Sequence, residues 1–166
     1  MTQVSREVRS ERVTIEEIER SIMQISWFAQ RQFMQLLDED RFRLTLPQFY
    51  TLLYLEQTNE PCKMTDLAEA THQSAASLTG VVDRLREKQL VERLRDDRDR
   101  RQVMVAATNQ GRELIAEIKQ ARREQMQMAL THLGEPEIET LVLLLDRVLA
   151  GLARTLERNE PSGRLA

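Results

Sequence analysis

Apolar residues recur along this chain at three-and-four spacing in some stretches and in alternation in others, and the changes of period mark its elements. Ile15, Ile18, Ile22, Ile25, Ala29 and Phe33 line one side of a first helix that runs to about Leu37. Thr14-Ile-Glu-Glu17 opens it with the form of a capping box. Met23, Trp27, Phe28 and Met34 widen the stripe beyond a single seam, so this helix needs something large to pack on. Arg41 to Leu46 reads as a connection. Pro47, suited to a first helical turn, introduces a second helix from Gln48 to Gln57 with Phe49, Leu52, Leu53 and Leu55 partly buried. Thr58 to Cys62 is a loop.

A short third helix follows, with Leu67, Ala68 and Ala70 on its packing side, then a tight turn. The fourth helix is N-capped by Ser74 and buries Leu78, Val81, Val82 and Leu85. Leu90 to Leu94 and Gln102 to Ala106 are short strands joined by a charged tip. Thr108 or Asn109 caps a long helix with a sparse seam of Leu114, Ile118, Ala121, Met126 and Met128, while Arg112, Lys119, Arg122 and Arg123 face out. Gly134-Glu-Pro136 breaks the chain before a last helix in which Ile138, Leu141, Leu145, Val148 and Leu152 repeat, with Leu144 and Leu149 beside them. Residues 158–166 form a tail.

Helix, turn, helix and hairpin in that order predict a winged helix-turn-helix. The fold class is mainly α with a small β-hairpin. Opposite the apolar stripe, the fourth helix carries Ala75, Ala76, Ser77, Thr79, Gly80 and Asp83. A helix that enters the major groove needs such a face, because bulky side chains would hold its backbone off the base edges. Candidate DNA-contacting residues are therefore Gln73, Ser74, Ala76, Ser77, Thr79 and Gly80, with Arg84 reaching a phosphate. On the hairpin tip, Arg98, Arg100 and Arg101 suit the negative potential of a narrow minor groove. Asp99 pairs with one of these arginines and fixes the tip's shape.

Charge narrows the picture. Against 24 basic residues stand 27 acidic ones, for a formal charge of −3, which argues against a nonspecific DNA coater and permits a local basic patch. Residues 1–13 contain no apolar run of the secretory kind, and the longest continuous one, Leu141 to Leu145, is too short to span a bilayer. A single cysteine excludes an internal disulfide framework, so a cytoplasmic location is expected, without membrane attachment.

Three stretches carry a resemblance to a known family: Leu67-Ala-Glu-Ala-Thr with Leu78-Thr-Gly-Val-Val-Asp-Arg-Leu85, then Leu90-Val-Glu-Arg93, then Asp99-Arg-Arg101 with Val105-Ala-Ala-Thr-Asn-Gln-Gly111. The sequence resembles the MarR family of bacterial transcriptional regulators, and the match spans nearly the whole chain. The resemblance implies one domain over 1–166, in which residues 14–40 and 108–157 form a helical dimerisation region and 47–106 the winged DNA-binding lobe. It further implies a homodimer on double-stranded DNA, a repressor in most members, released by a small aromatic effector held between the two regions. Met23, Trp27, Phe28, Phe49 and Tyr50 offer apolar surface for that effector. Two positions depart from the family: Gln89 stands where Gly usually closes the recognition helix, and Ala107 where Leu is usual.

Other readings stay open at this level. The wide stripes of the terminal helices fit an interface between two copies or a helical bundle within one. A dimeric winged helix serving only as a protein-interaction module is a second function class, and a regulator responding to oxidation of Cys62 a third. Catalysis has little support: His72 and His132 lie far apart without a second ligand at metal spacing, and no Gly-rich phosphate loop follows a strand. No enzyme activity, metal or cofactor is expected.

Overall fold

A computed structural model describes residues 14–95 and 103–159. The chain divides into two compact units, one extending to Arg122 and the other beginning at Arg123.

In the first unit, α1 (Ile15–Asp38) starts at the expected capping box: the Thr14 hydroxyl accepts the Glu17 amide at 3.2 Å, and Glu17 accepts the Thr14 amide at 2.8 Å. Only its last turns are buried, through Phe33, Leu36 and Leu37. The helix α2 (Leu46–Thr58) begins two residues before the expected start. Thr45-x-x-Gln48 is itself a capping-box pattern, and Gln48 accepts the Thr45 amide at 3.0 Å, which draws Leu46 and Pro47 into the first turn. Then come β1 (Cys62–Lys63), α3 (Met64–Ala70), α4 (Ala75–Glu87), β2 (Val91–Arg95), β3 (Val103–Ala107) and α5 (Asn109–Ala129).

The hairpin is part of a three-stranded antiparallel sheet in the order β1-β3-β2. The added strand, β1, pairs Cys62 with Val105 and Lys63 with Met104. Two residues are too few to show a period, so this strand was invisible as a pattern. The first hairpin strand starts one residue later than expected and the second runs one residue further, with Val91 facing Ala107; Gln102 lies outside the described residues. Leu90 cannot begin the ladder because its amide is already bonded to the Leu85 carbonyl, at 2.9 Å.

One core serves this unit. Leu36, Leu52, Leu67, Leu85, Val105 and Ile115 are among its fully buried residues, and Phe33 meets Phe49 edge-on at 4.8 Å. The buried seam of α5 is Gly111, Ile115, Ile118 and Ala121, which corrects the expected one. Ile115 belongs to it, whereas Met126 and Met128 are exposed. Nor do all the α5 cations simply face out. Lys119 pairs with Glu56 at 2.9 Å, and the Arg122 guanidinium lies 5.0 Å from the centre of the Phe33 ring.

The second unit holds the end of α5 and α6 (Glu135–Asn159). Gly134 donates its amide to Glu137 at 2.7 Å, closing the first turn around Pro136. Along α6, Ile138 and Leu141 are half-buried, whereas Leu145, Val148, Leu149 and Leu152 are exposed. Helix α6 extends through Asn159, two residues into the expected tail; residues 160–166 lie outside the described ones. Among the described residues no helix is long and apolar enough to cross a membrane.

Candidate nucleic-acid interface

Helix α4 is anchored by one face. Leu78, Val82 and Leu85 are fully buried and Val81 nearly so, each contributing roughly 1.5–3 kcal/mol of apolar burial. That anchorage lets the other face be small without loosening the helix. Ser74 caps it: its backbone is extended (φ −69°, ψ 152°), and its Oγ accepts the Ser77 amide at 3.2 Å.

The exposed face gathers Ser74, Ala76, Ser77, Thr79 and Gly80, with the exposed Arg84 one turn further on. A Cβ built on Gly80 would meet nothing within 4 Å, so the surface there is open to an incoming group. Thr79 Oγ1 donates to the Ala75 carbonyl at 2.9 Å, which leaves its lone pairs as acceptors for a donor on a base edge.

Gln73 is placed differently from its expected role. Its Nε2 donates to Thr51 Oγ1 at 2.9 Å and to Thr71 Oγ1 at 3.0 Å. Thr71 already donates to the Leu67 carbonyl at 2.6 Å, so the amide must be the donor between them. Gln73 therefore ties the turn to α2, and its side chain points inward rather than with the Thr79 face.

The turn and the far end of α4 close in the same way. After α3, His72 takes a left-handed conformation (φ 51°), with its amide on Glu69 and the Gln73 amide on Ala68. After α4, Gln89 does so (φ 60°), with its amide on Arg86 and the Leu90 amide on Leu85. Both are Schellman closures made without glycine. The expected departure at Gln89 is thus met by forcing a residue with a Cβ into the left-handed region.

Two residues without an assigned role in the sequence sit beside this face. Asp83 on α4 lies 2.9 Å from Arg93 on β2 and 3.6 Å from Arg86. Asp83 appeared only as a member of the small face and Arg93 only as a strand residue. Sequence spacing holds no signal for a pair brought together by folding a strand onto a helix. Arg98, Asp99, Arg100 and Arg101 lie outside the described residues.

The five residues considered for an effector are dispersed in character. Phe49 is a core residue, packed against Phe33 and, at 5.4 Å, Tyr50. Met23, Trp27, Phe28 and Tyr50 are exposed, with Trp27 and Phe28 edge-to-face at 4.9 Å. An apolar recess of about 580 Å³ does occur nearby, lined by Met34, Leu37, Leu44, Leu46 and Pro47 with Gln35, Asp38 and Thr45 as polar edges. Cys62 is half-buried on β1, and burial, then the Asp66 charge, raise its thiol above the usual range.

Known proteins share this arrangement. Residues 44–102 match the model of the MarR family. The HTH-type transcriptional repressor NicR of Pseudomonas putida is 30% identical over 107 residues, covering 64% of this chain and 67% of NicR. A probable transcriptional regulator from Pseudomonas aeruginosa is 32% identical with a TM-score of 0.55, covering 79% of this chain and 98% of that one. A variant of MepR from S. aureus, bound to an oligodeoxyribonucleotide, has the same fold at 23% identity and a TM-score of 0.69, covering 85% and 99%. With its winged helix, its small-faced α4 and these relatives, the chain belongs to the MarR family of DNA-binding transcriptional regulators.

Proposed function

We propose that this regulator is a repressor that binds a pseudo-palindromic operator as a homodimer and is released by a small apolar effector. The observation that carries the DNA reading is the open, small face of α4 at Ala76, Ser77, Thr79 and Gly80, held rigid from behind by four buried aliphatic residues. NicR, by name a repressor, and the MepR variant with bound oligodeoxyribonucleotide support that reading.

Dimerisation is supported by two helices taken separately. Helix α1 exposes Ile15, Ile18, Ile22 and Ile25 at three-and-four spacing, with Trp27 and Phe28. Helix α6 exposes Leu143, Leu144, Leu145 and Leu149. Contiguous apolar surface of this kind marks an interface. Arg98, Arg100 and Arg101 supply minor-groove and phosphate contacts, with Asp99 bracing one of them. The recess beside Met34 and Leu46 suits an apolar ring better than the dispersed aromatic residues do.

Selection of bound genomic fragments by the purified protein, with its mass in solution measured in parallel, tests the proposal. The expected result is a dimer and a recurring inverted repeat whose half-sites lie about 34 Å apart. A monomer that retains no recurring sequence would overturn it.

A further inference from the structure

We infer that Asp83 is a positioning residue for DNA binding: its carboxylate holds Arg93 and thereby sets the β2–β3 ladder against the recognition helix. Asp83 lies one turn beyond Thr79 and Gly80 on the face that meets DNA. A free carboxylate there would repel phosphates. Here it has Arg93 at 2.9 Å and Arg86 at 3.6 Å, so its charge is spent within the protein.

The two links differ in what they connect. Arg86 is on the same helix as Asp83, three residues on, and its pairing constrains only α4. Arg93 is the middle residue of β2, paired with Val105 on β3, so holding Arg93 holds the two-stranded ladder. Asp83 and Arg93 are both about two-thirds shielded, their side chains 38% and 30% exposed. Arg93 Nε and Asp83 Oδ1 are closed to solvent, and neither has a well-aligned hydrogen bond among the described residues. The contact is close but off-axis, and therefore mainly electrostatic. Removing Asp83 leaves Arg93 shielded without this partner, and removing Arg93 leaves Asp83 with only the longer contact to Arg86.

Two consequences follow, and the first has a sign opposite to simple charge counting. Asp83→Asn removes a negative charge from the DNA-facing side, so counting predicts tighter binding to any duplex. A positioning role predicts weaker operator binding, because the β2–β3 ladder loses its hold on α4. Second, Arg93 is withdrawn from phosphate binding although it is a cation on the DNA-binding lobe. Its loss leaves the salt dependence unchanged.

The inference rests on α4 entering the groove, so the wild-type full chain is first titrated with a duplex recovered by genomic selection and with a scrambled duplex of equal length. Failure to distinguish them overturns the reading of α4. Amide exchange at Val91–Arg95 in free wild-type protein and in Asp83→Asn then still tests the brace: faster exchange in the variant supports it, and equal exchange overturns it. Where wild type does discriminate, Asp83→Asn and Arg93→Gln should each lower operator affinity by roughly tenfold, and the double variant by no more than either. In Arg93→Gln the affinity for the scrambled duplex and the salt slope should be unchanged, and Asp83→Glu should keep most of the operator affinity. Tighter operator binding by Asp83→Asn, additive losses, or a salt slope lowered by about one in Arg93→Gln would overturn the inference.

Discussion

Thr108 donates its hydroxyl to the carbonyl of Gln89 at 2.7 Å, and the same oxygen accepts the amide of Gly111 at 3.1 Å. One side chain thus caps the start of α5 and ties it to the strained closure of α4. Between Thr108 and Asn109, the structure assigns the cap to Thr108. Thr108→Ala should cost about 1–2 kcal/mol in denaturant unfolding, the upper part of the range for a missing N-cap, because the Gln89 carbonyl also loses its donor. Asn109→Ala, by contrast, should have little effect. Equal losses in the two variants would refute the assignment.

Gln89 occupies φ 60°, a region where a Cβ crowds the following carbonyl. Gly at this position removes that crowding in the folded state but gives the unfolded chain more freedom. The first effect is the larger, so Gln89→Gly should gain on the order of 0.5–1 kcal/mol. Unfolding midpoints at an unchanged denaturant slope are the measurement, and a loss of stability would show that the Gln89 side chain contributes something the backbone geometry does not reveal.

Two glycines make opposite predictions. A Cβ on Gly111 would stand 2.2 Å from the Leu90 carbonyl oxygen and 3.0 Å from a Leu52 methyl, so the backbone would have to move. Gly111→Ala should therefore destabilise the protein by about 1–3 kcal/mol despite its helical gain. Gly80 has open space, and Gly80→Ala should stabilise the free protein by roughly 0.8–1 kcal/mol. Gly80→Leu should keep the fold and, with α4 docked as proposed, lose operator binding, since the added side chain would fill the open space left for a base edge. Normal binding by Gly80→Leu would mean that this face stays outside the groove.

Much of this was legible in the sequence because it is local. The Thr14 capping box, the Ser74 cap and the stripe Leu78, Val81, Val82 and Leu85 are set by spacing along a single helix, and spacing is what a sequence displays. What escaped depends on elements meeting. Ile115 is apolar and next to Leu114, and both reach the core, Ile115 fully buried and Leu114 partly, with Gly111 packed close against Leu90 one turn before Ile115. Gln73 looked like a groove residue because it precedes the recognition helix, yet Thr51, twenty-two residues earlier, claims its amide. Asp83 and Arg93 likewise acquire their relation only when β2 folds against α4.

The thiol of Cys62 should be inert. Burial comes first and the Asp66 charge second in raising its pKa, and both lower the thiolate fraction near neutral pH. Alkylation of the native protein by iodoacetamide should be slower than that of a free thiol, and should speed up on unfolding. A native rate equal to or above the free-thiol rate would revive a redox role.

The wing arginines should behave unlike Arg93. Arg93 is already neutralised by Asp83, whereas Arg100 and Arg101 belong to the tip proposed to meet DNA directly. Each phosphate bound by a cation displaces condensed counterions, so Arg100→Ala or Arg101→Ala should weaken binding to operator and scrambled duplexes alike. The salt slope should fall by about one for each phosphate no longer neutralised. Asp99→Ala provides the internal control. If Asp99 braces an arginine, removing its negative charge should not tighten binding, contrary to a charge count. Titrations of the three variants across a salt series measure all of this. Unchanged affinity and slope in both arginine variants would place the phosphate contacts elsewhere, with Arg84 on the exposed side of α4 as the next cation to test.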